Sequence, residues 1–146
     1  PALEEKTIAF YQEAVRTSPL RLQPLTCYYH QDPRTDKFAG TALTGVQSYM
    51  GSALPELTGS VVFCDLARKQ KNQAPTRGVL AYTRVSPDFK QSDFAVIEIE
   101  DNFGTESAYY VSLGTNSDQT RLFLGVHSSM KVTDWNQGSV WEIVPC

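Results

Sequence analysis

Apolar and polar positions alternate most clearly over residues 94–101, Phe-Ala-Val-Ile-Glu-Ile-Glu-Asp. Ala95, Ile97 and Ile99 fall on one face there, and Val96, Glu98 and Glu100 on the other. A period of two marks a strand with one face buried, and β-branched residues suit the apolar side. Runs of the same kind occupy residues 60–67, 76–86, 107–114, 121–128 and 139–144, with short polar turns between them. Sequential strands joined by short turns predict an antiparallel sheet, and the 94–101 strand is expected at its centre.

The period lengthens toward the front of the chain. Leu3, Ile8, Tyr11 and Val15 form one stripe at helical spacing, widened by Phe10 and Ala14. Glu4 and Glu5 suit the positive end of a helix over residues 2–17, Arg16 suits its other end, and Ser18-Pro19 stops it. Residues 20–30 fit a shorter helix, residues 31–36 a turn-rich loop and residues 37–40 a short strand. Thr44 is placed to cap a third helix over residues 44–57, with Val46, Tyr49, Met50, Ala53 and Leu54 at helical spacing. Gly51 weakens that helix by roughly 1 kcal/mol relative to alanine. Together these elements predict one α+β domain over residues 1–146, its N-terminal helices packed on a curved, mainly antiparallel sheet of about six strands.

This order of elements resembles the nuclear transport factor two superfamily, the cone-shaped fold that includes ketosteroid isomerase and scytalone dehydratase. The residues concerned are Ile8-Ala9-Phe10-Tyr11-Gln12-Glu13-Ala14-Val15 as a first helix, a second helix over residues 22–29, and Phe38-Ala39-Gly40-Thr41-Ala42-Leu43-Thr44-Gly45 leading into a third. The resemblance covers residues 5–86, and it implies a cone with an apolar pocket and a sheet that builds dimers. It carries no catalytic role onto a particular residue. The later strands exceed the family's usual number by one or two. Residues 109–145, with Arg121-Leu122-Phe123-Leu124-Gly125-Val126 and Val140-Trp141-Glu142-Ile143-Val144-Pro145, resemble a β-trefoil repeat instead. A calycin-like barrel behind the helices is the remaining alternative.

Composition narrows the function classes. With 41% apolar and 20% charged residues, the 146-residue chain is globular and long enough to bury a core without staples. A net charge of −3 disfavours nucleic acid as a partner. The one basic run, Arg68-Lys69-Gln70-Lys71, reads as a solvated loop between strands. No apolar run is long enough to span a membrane. Cys27, Cys64 and Cys146 follow no disulfide-framework or zinc spacing. Cys64 reads as a small buried hydrophobe inside a strand. A soluble, intracellular protein fits these features, with secretion possible only through a removed leader.

No nucleophile elbow, phosphate-binding loop or metal motif occurs, so neither a cofactor nor a metal is expected. Six residues are candidates for contact with a ligand: Tyr11, Tyr29, His30, Asp65, Tyr82 and His127. His30 with Asp32 has the composition of an oriented general base, though a solvated His30 at a helix end is the plainer reading. Asp65 shares a face with Val61 and Phe63, so it is either a buried carboxylate or the solvated end of its strand. Glu98 and Glu100 read as the solvated side of a structural strand. The function expected is non-catalytic binding of a protein partner, a second copy or a small apolar ligand through the curved sheet. The alternatives are a cofactor-free isomerase or dehydratase, which needs several of these polar groups in one pocket, and a carbohydrate-binding lectin-like domain.

Overall fold

The structure is a computed structural model that describes residues 9, 12, 13, 16, 17, 24–30, 39–69, 77–85, 92–131 and 133–146. Nine strands carry it: β1 (Tyr29–His30), β2 (Ala39–Gly40), β3 (Leu43–Tyr49), β4 (Ser60–Asp65), β5 (Val79–Arg84), β6 (Phe94–Ile97), β7 (Tyr109–Thr115), β8 (Leu122–His127) and β9 (Gly138–Ile143). They form three sheets, with orders β1-β2, β3-β4-β5-β6 and β7-β8-β9. β1 and β2 pair in parallel, and the two larger sheets are antiparallel meanders.

Alternation along these strands sorts the apolar residues into two cores. Val62, Cys64 and Leu80 point to one side of the four-stranded sheet and meet Tyr110, Leu122 and Leu124 of the three-stranded one. Phe63, Val79, Ala81 and Phe94 point to the other side. Tyr28 covers that side, stacked on Phe63 with centroids 6.0 Å apart and edge-on to Phe94 at 6.2 Å.

The two larger sheets are joined along one margin, where β3 crosses β7. Gly45 sits at the crossing, and a Cβ built there would lie 2.6 Å from the Leu113 nitrogen. Thr44 Oγ1 donates to the Tyr110 carbonyl at 2.6 Å, the Tyr110 N–H to the Leu66 carbonyl at 3.2 Å, and the Gly78 N–H to the Ala108 carbonyl at 2.7 Å. At the opposite margin β6 and β9 are the outer strands of their sheets, and the sheets do not close into a barrel.

The α+β architecture and the cone fold are therefore overturned, because, of the three places where a helix is expected, the third is a strand and the described part of the second is irregular up to β1. Residues 43–49 are strand β3, followed only by a short 3-10 turn at Pro55–Leu57. Val46 and Met50, two of the five residues of the stripe expected to be buried, are 56% and 64% exposed. Residues 24–28 are irregular and lead into β1. At the first place, Ala9, Gln12, Glu13, Arg16 and Thr17 have helical backbone and are exposed; the rest of residues 2–17, Tyr11 included, lie outside the described residues. No helix packed on a sheet occurs among the described residues. Among the described residues no sheet closes into a barrel, which also counts against the trefoil and calycin-like alternatives. The 94–101 strand is corrected too: it ends at Ile97 and lies at an edge, not at the centre. The five other expected strands are present as β4, β5, β7, β8 and β9.

Cys64 is fully buried on β4, whereas Cys27 and Cys146 are exposed, and all three are free. Burial pushes the Cys64 thiol up from 9.0 to about 11, partly offset by its hydrogen bond with Thr44. The folded protein holds the thiol neutral while the unfolded chain ionises it first. Stability is therefore complete below about pH 9 and declines as pH rises toward about 11. Unfolding titrations across that window are expected to show a loss of roughly 2–3 kcal/mol from this group, a decline that Cys64→Ala flattens. Tyr110, raised by burial to about 12, extends the same trend upward.

Candidate functional site

Where β6 and β9 diverge, the interior faces of the two sheets are left uncovered. The result is an apolar cleft of about 800 Å³. Tyr82, Ala95 and Ile97 supply one wall because register places Tyr82 opposite Ala95 and Leu80 opposite Ile97. Leu124, Trp141 and Ile143 supply the other, with Leu124 opposite Trp141 on the inner face of its sheet. Leu54 and Leu57, around the 3-10 turn, close one end.

Ile99 and Phe103 follow β6 and bridge the walls. The Phe103 ring meets Trp141 edge-on with centroids 5.1 Å apart, and Tyr110 at 6.2 Å. The Trp141 indole N–H donates to Ser139 Oγ at 2.7 Å, which fixes the ring against the cleft. These aromatic contacts hold the segment after β6 close to β9 without strand pairing.

Carboxylates surround the cleft: Glu56, Glu98, Glu100, Asp101 and Glu142 all border it. Asp101 is ion-paired with Arg77, and Glu142 with Arg121, whose guanidinium holds the Glu142 carboxyl below its ordinary value. Glu56, Glu98 and Glu100 are exposed and have no ion-pair partner among the described residues.

Of the six candidate residues, only Tyr82 borders this cleft. Asp65 is 1% exposed and lies on the opposite face of the four-stranded sheet, where Phe63 also points. Its Oδ1 accepts the N–H groups of Thr41 at 2.7 Å, Ala67 at 3.1 Å and Ala42 at 3.3 Å. Its Oδ2 accepts the Tyr28 hydroxyl at 2.7 Å. Burial and this carboxylate raise the Tyr28 hydroxyl far above its ordinary value. A buried carboxylate with these donors organises the surrounding backbone. His30 Nε2 lies 2.6 Å from the Thr41 carbonyl, so His30 and Asp65 meet the same residue without touching each other. Tyr29 is 44% exposed. His127 ends β8 in the other sheet, its Nδ1 turned onto the Ser129 backbone. Tyr11 lies outside the described residues.

Sequence reasoning overlooked Ile99, Phe103 and Trp141 as parts of one site. Phe103 was the available signal: it is a lone large apolar residue within the acidic, turn-like stretch from Glu100 to Glu106. No grouping of His, Cys, Asp and Glu suited to a metal ion occurs among the described residues, and no helix there is long and apolar enough to cross a membrane. No protein-family model matches the chain, and neither does any curated protein or solved structure.

Proposed function

We propose that this protein is a binding protein that takes a small apolar ligand into the cleft between β6 and β9. The observation that carries the reading is the cleft itself, about 800 Å³ in volume and walled by aliphatic and aromatic side chains from both sheets. Small-molecule sites typically measure roughly 300–1,000 Å³ with mainly apolar walls. Burying an apolar ligand there removes from water the surfaces of Ile97, Ile99 and Trp141, which the protein alone leaves partly exposed. The polar candidates for catalysis do not converge in the cleft, which favours binding over an isomerase or dehydratase reaction.

Ala95 gives a direct test. It is exposed and borders the cleft on the Tyr82 side, so a larger residue there fills the cavity without entering the core. Binding of the uncharged dye phenylnaphthylamine, followed by its fluorescence, is expected to be saturable in the native protein. Ala95→Trp is expected to weaken it by about ten-fold, or 1.4 kcal/mol, with the unfolding midpoint nearly unchanged. Unaltered dye affinity in that variant would place the ligand elsewhere.

A further inference from the structure

We infer that the ligand is an amine, a small molecule with an apolar or aromatic body and a cationic head. This rests on the reading of the β6–β9 cleft as a binding site and deepens it. Among the described residues, every charged side chain that borders the cleft is a carboxylate, and no lysine, arginine or histidine does so. Two arginines are engaged by rim carboxylates, Arg77 by Asp101 and Arg121 by Glu142, and a third, Arg84, donates to the Glu56 carbonyl at 2.8 Å. Glu98 and Glu100 have no ion-pair partner among the described residues. Carboxylates on the rim of a concave apolar surface concentrate negative potential at its mouth and repel fatty acids and other anionic amphiphiles.

The walls suit the same chemistry. Phe103 and Trp141 bring aromatic rings to the cleft, and a cation near such a ring gains from its quadrupole, as the Arg84 guanidinium does over Tyr82 at 6.0 Å. Glu98 and Glu100 follow β6 directly, next to Ile97 and Ile99. Both border the cleft beyond the end of β6, so an apolar body lying against the two isoleucines leaves an attached ammonium group within the field of these carboxylates. A neutral ligand would use the walls and leave the rim unused; an anion would be opposed by it.

Three probes of matched shape separate the possibilities: phenylbutylamine, phenylbutanol and phenylbutyrate, titrated calorimetrically at low salt. The amine is expected to bind roughly five- to ten-fold more tightly than the alcohol, and phenylbutyrate more weakly than either. Raised salt should erase the preference. Replacing both carboxylates, Glu98→Gln with Glu100→Gln, should reduce the amine to the alcohol's affinity and leave the alcohol unchanged. Equal binding of amine and alcohol, or an amine preference that survives the double replacement, overturns the amine inference and leaves the apolar cleft standing. If none of the three probes binds, the cleft reading falls and this inference falls with it.

Discussion

Asp65→Ala is expected to destabilise the protein by about 3–5 kcal/mol, read as a large fall in the urea midpoint of unfolding. The carboxylate is almost fully buried, yet its stabilising role comes from what it receives. Three backbone N–H groups, from Thr41, Ala42 and Ala67, end on Oδ1, and the Tyr28 hydroxyl ends on Oδ2. Removing the acceptor leaves those donors buried without partners, and each costs on the order of 1–3 kcal/mol before relaxation. Water cannot replace it easily, because Gly40 packs directly against the carboxylate and Tyr28 closes the site from the aromatic side. Asp65→Asn keeps one oxygen for the Oδ1 donors and is expected to lose less than half as much. Tyr28→Phe removes a single hydrogen bond and should cost about 1–2 kcal/mol. The dye affinity of Asp65→Asn should match the native protein, since the residue lies on the face away from the cleft. A loss below about 1 kcal/mol for Asp65→Ala would show that the network is not structural.

Gly45→Ala should cost roughly 2–3 kcal/mol, the second large effect. The added methyl would sit 2.6 Å from the Leu113 nitrogen, 2.9 Å from Cys64 Sγ and 3.1 Å from the Ser112 carbonyl carbon. Two of these three atoms are backbone of β7, which is paired with β8 and cannot retreat as a side chain would. Relief therefore requires the sheets to separate at their one joined margin, disturbing the Thr44–Tyr110 hydrogen bond nearby. Gly114→Ala is the matched control, because a Cβ there meets nothing within 4 Å. Thermal unfolding of the two variants side by side separates a steric cost from a general effect of replacing glycine.

Gly45 also shows why the third predicted helix became a strand. Val46, Tyr49 and Met50 satisfy helical spacing as well as they satisfy an irregular strand, and local pattern cannot choose between them. The choice is made by contacts distant in sequence: Tyr49 is buried with its hydroxyl on the Thr120 carbonyl, and glycine lets β3 cross β7. Strands β4, β5, β7, β8 and β9 were legible because alternation is a local property. Their grouping into separate sheets was not, since a strand's own residues do not state how many neighbours it has. Residues 94–101 illustrate the limit. Alternation told the two faces apart but not their burial or position: Ala95 is exposed, Phe94 and Val96 belong to the second core, and the strand lies at an edge. Asp65 was readable as a carboxylate on an aromatic face, while its donors come from the segment around Thr41, whose approach depends on the whole fold. The cleft had the weakest trace, since Phe103 and Trp141 are separated by 38 positions and meet only in three dimensions.

The open margin has a cost for any protein that must remain dispersed. Among the described residues β6 and β9 are the outer strands of their sheets, and an outer strand is the template on which a strand from another chain adds and aggregation begins. Charge and proline are the usual deterrents at such edges. Here Glu98 and Glu100 extend β6, Glu142 lies within β9, and Pro145 follows it. The carboxylates at the mouth of the cleft thus also act as gatekeepers against strand addition. Engineering this rim toward neutral or anionic ligands would remove that protection, so a broader ligand range and colloidal stability oppose each other in this molecule.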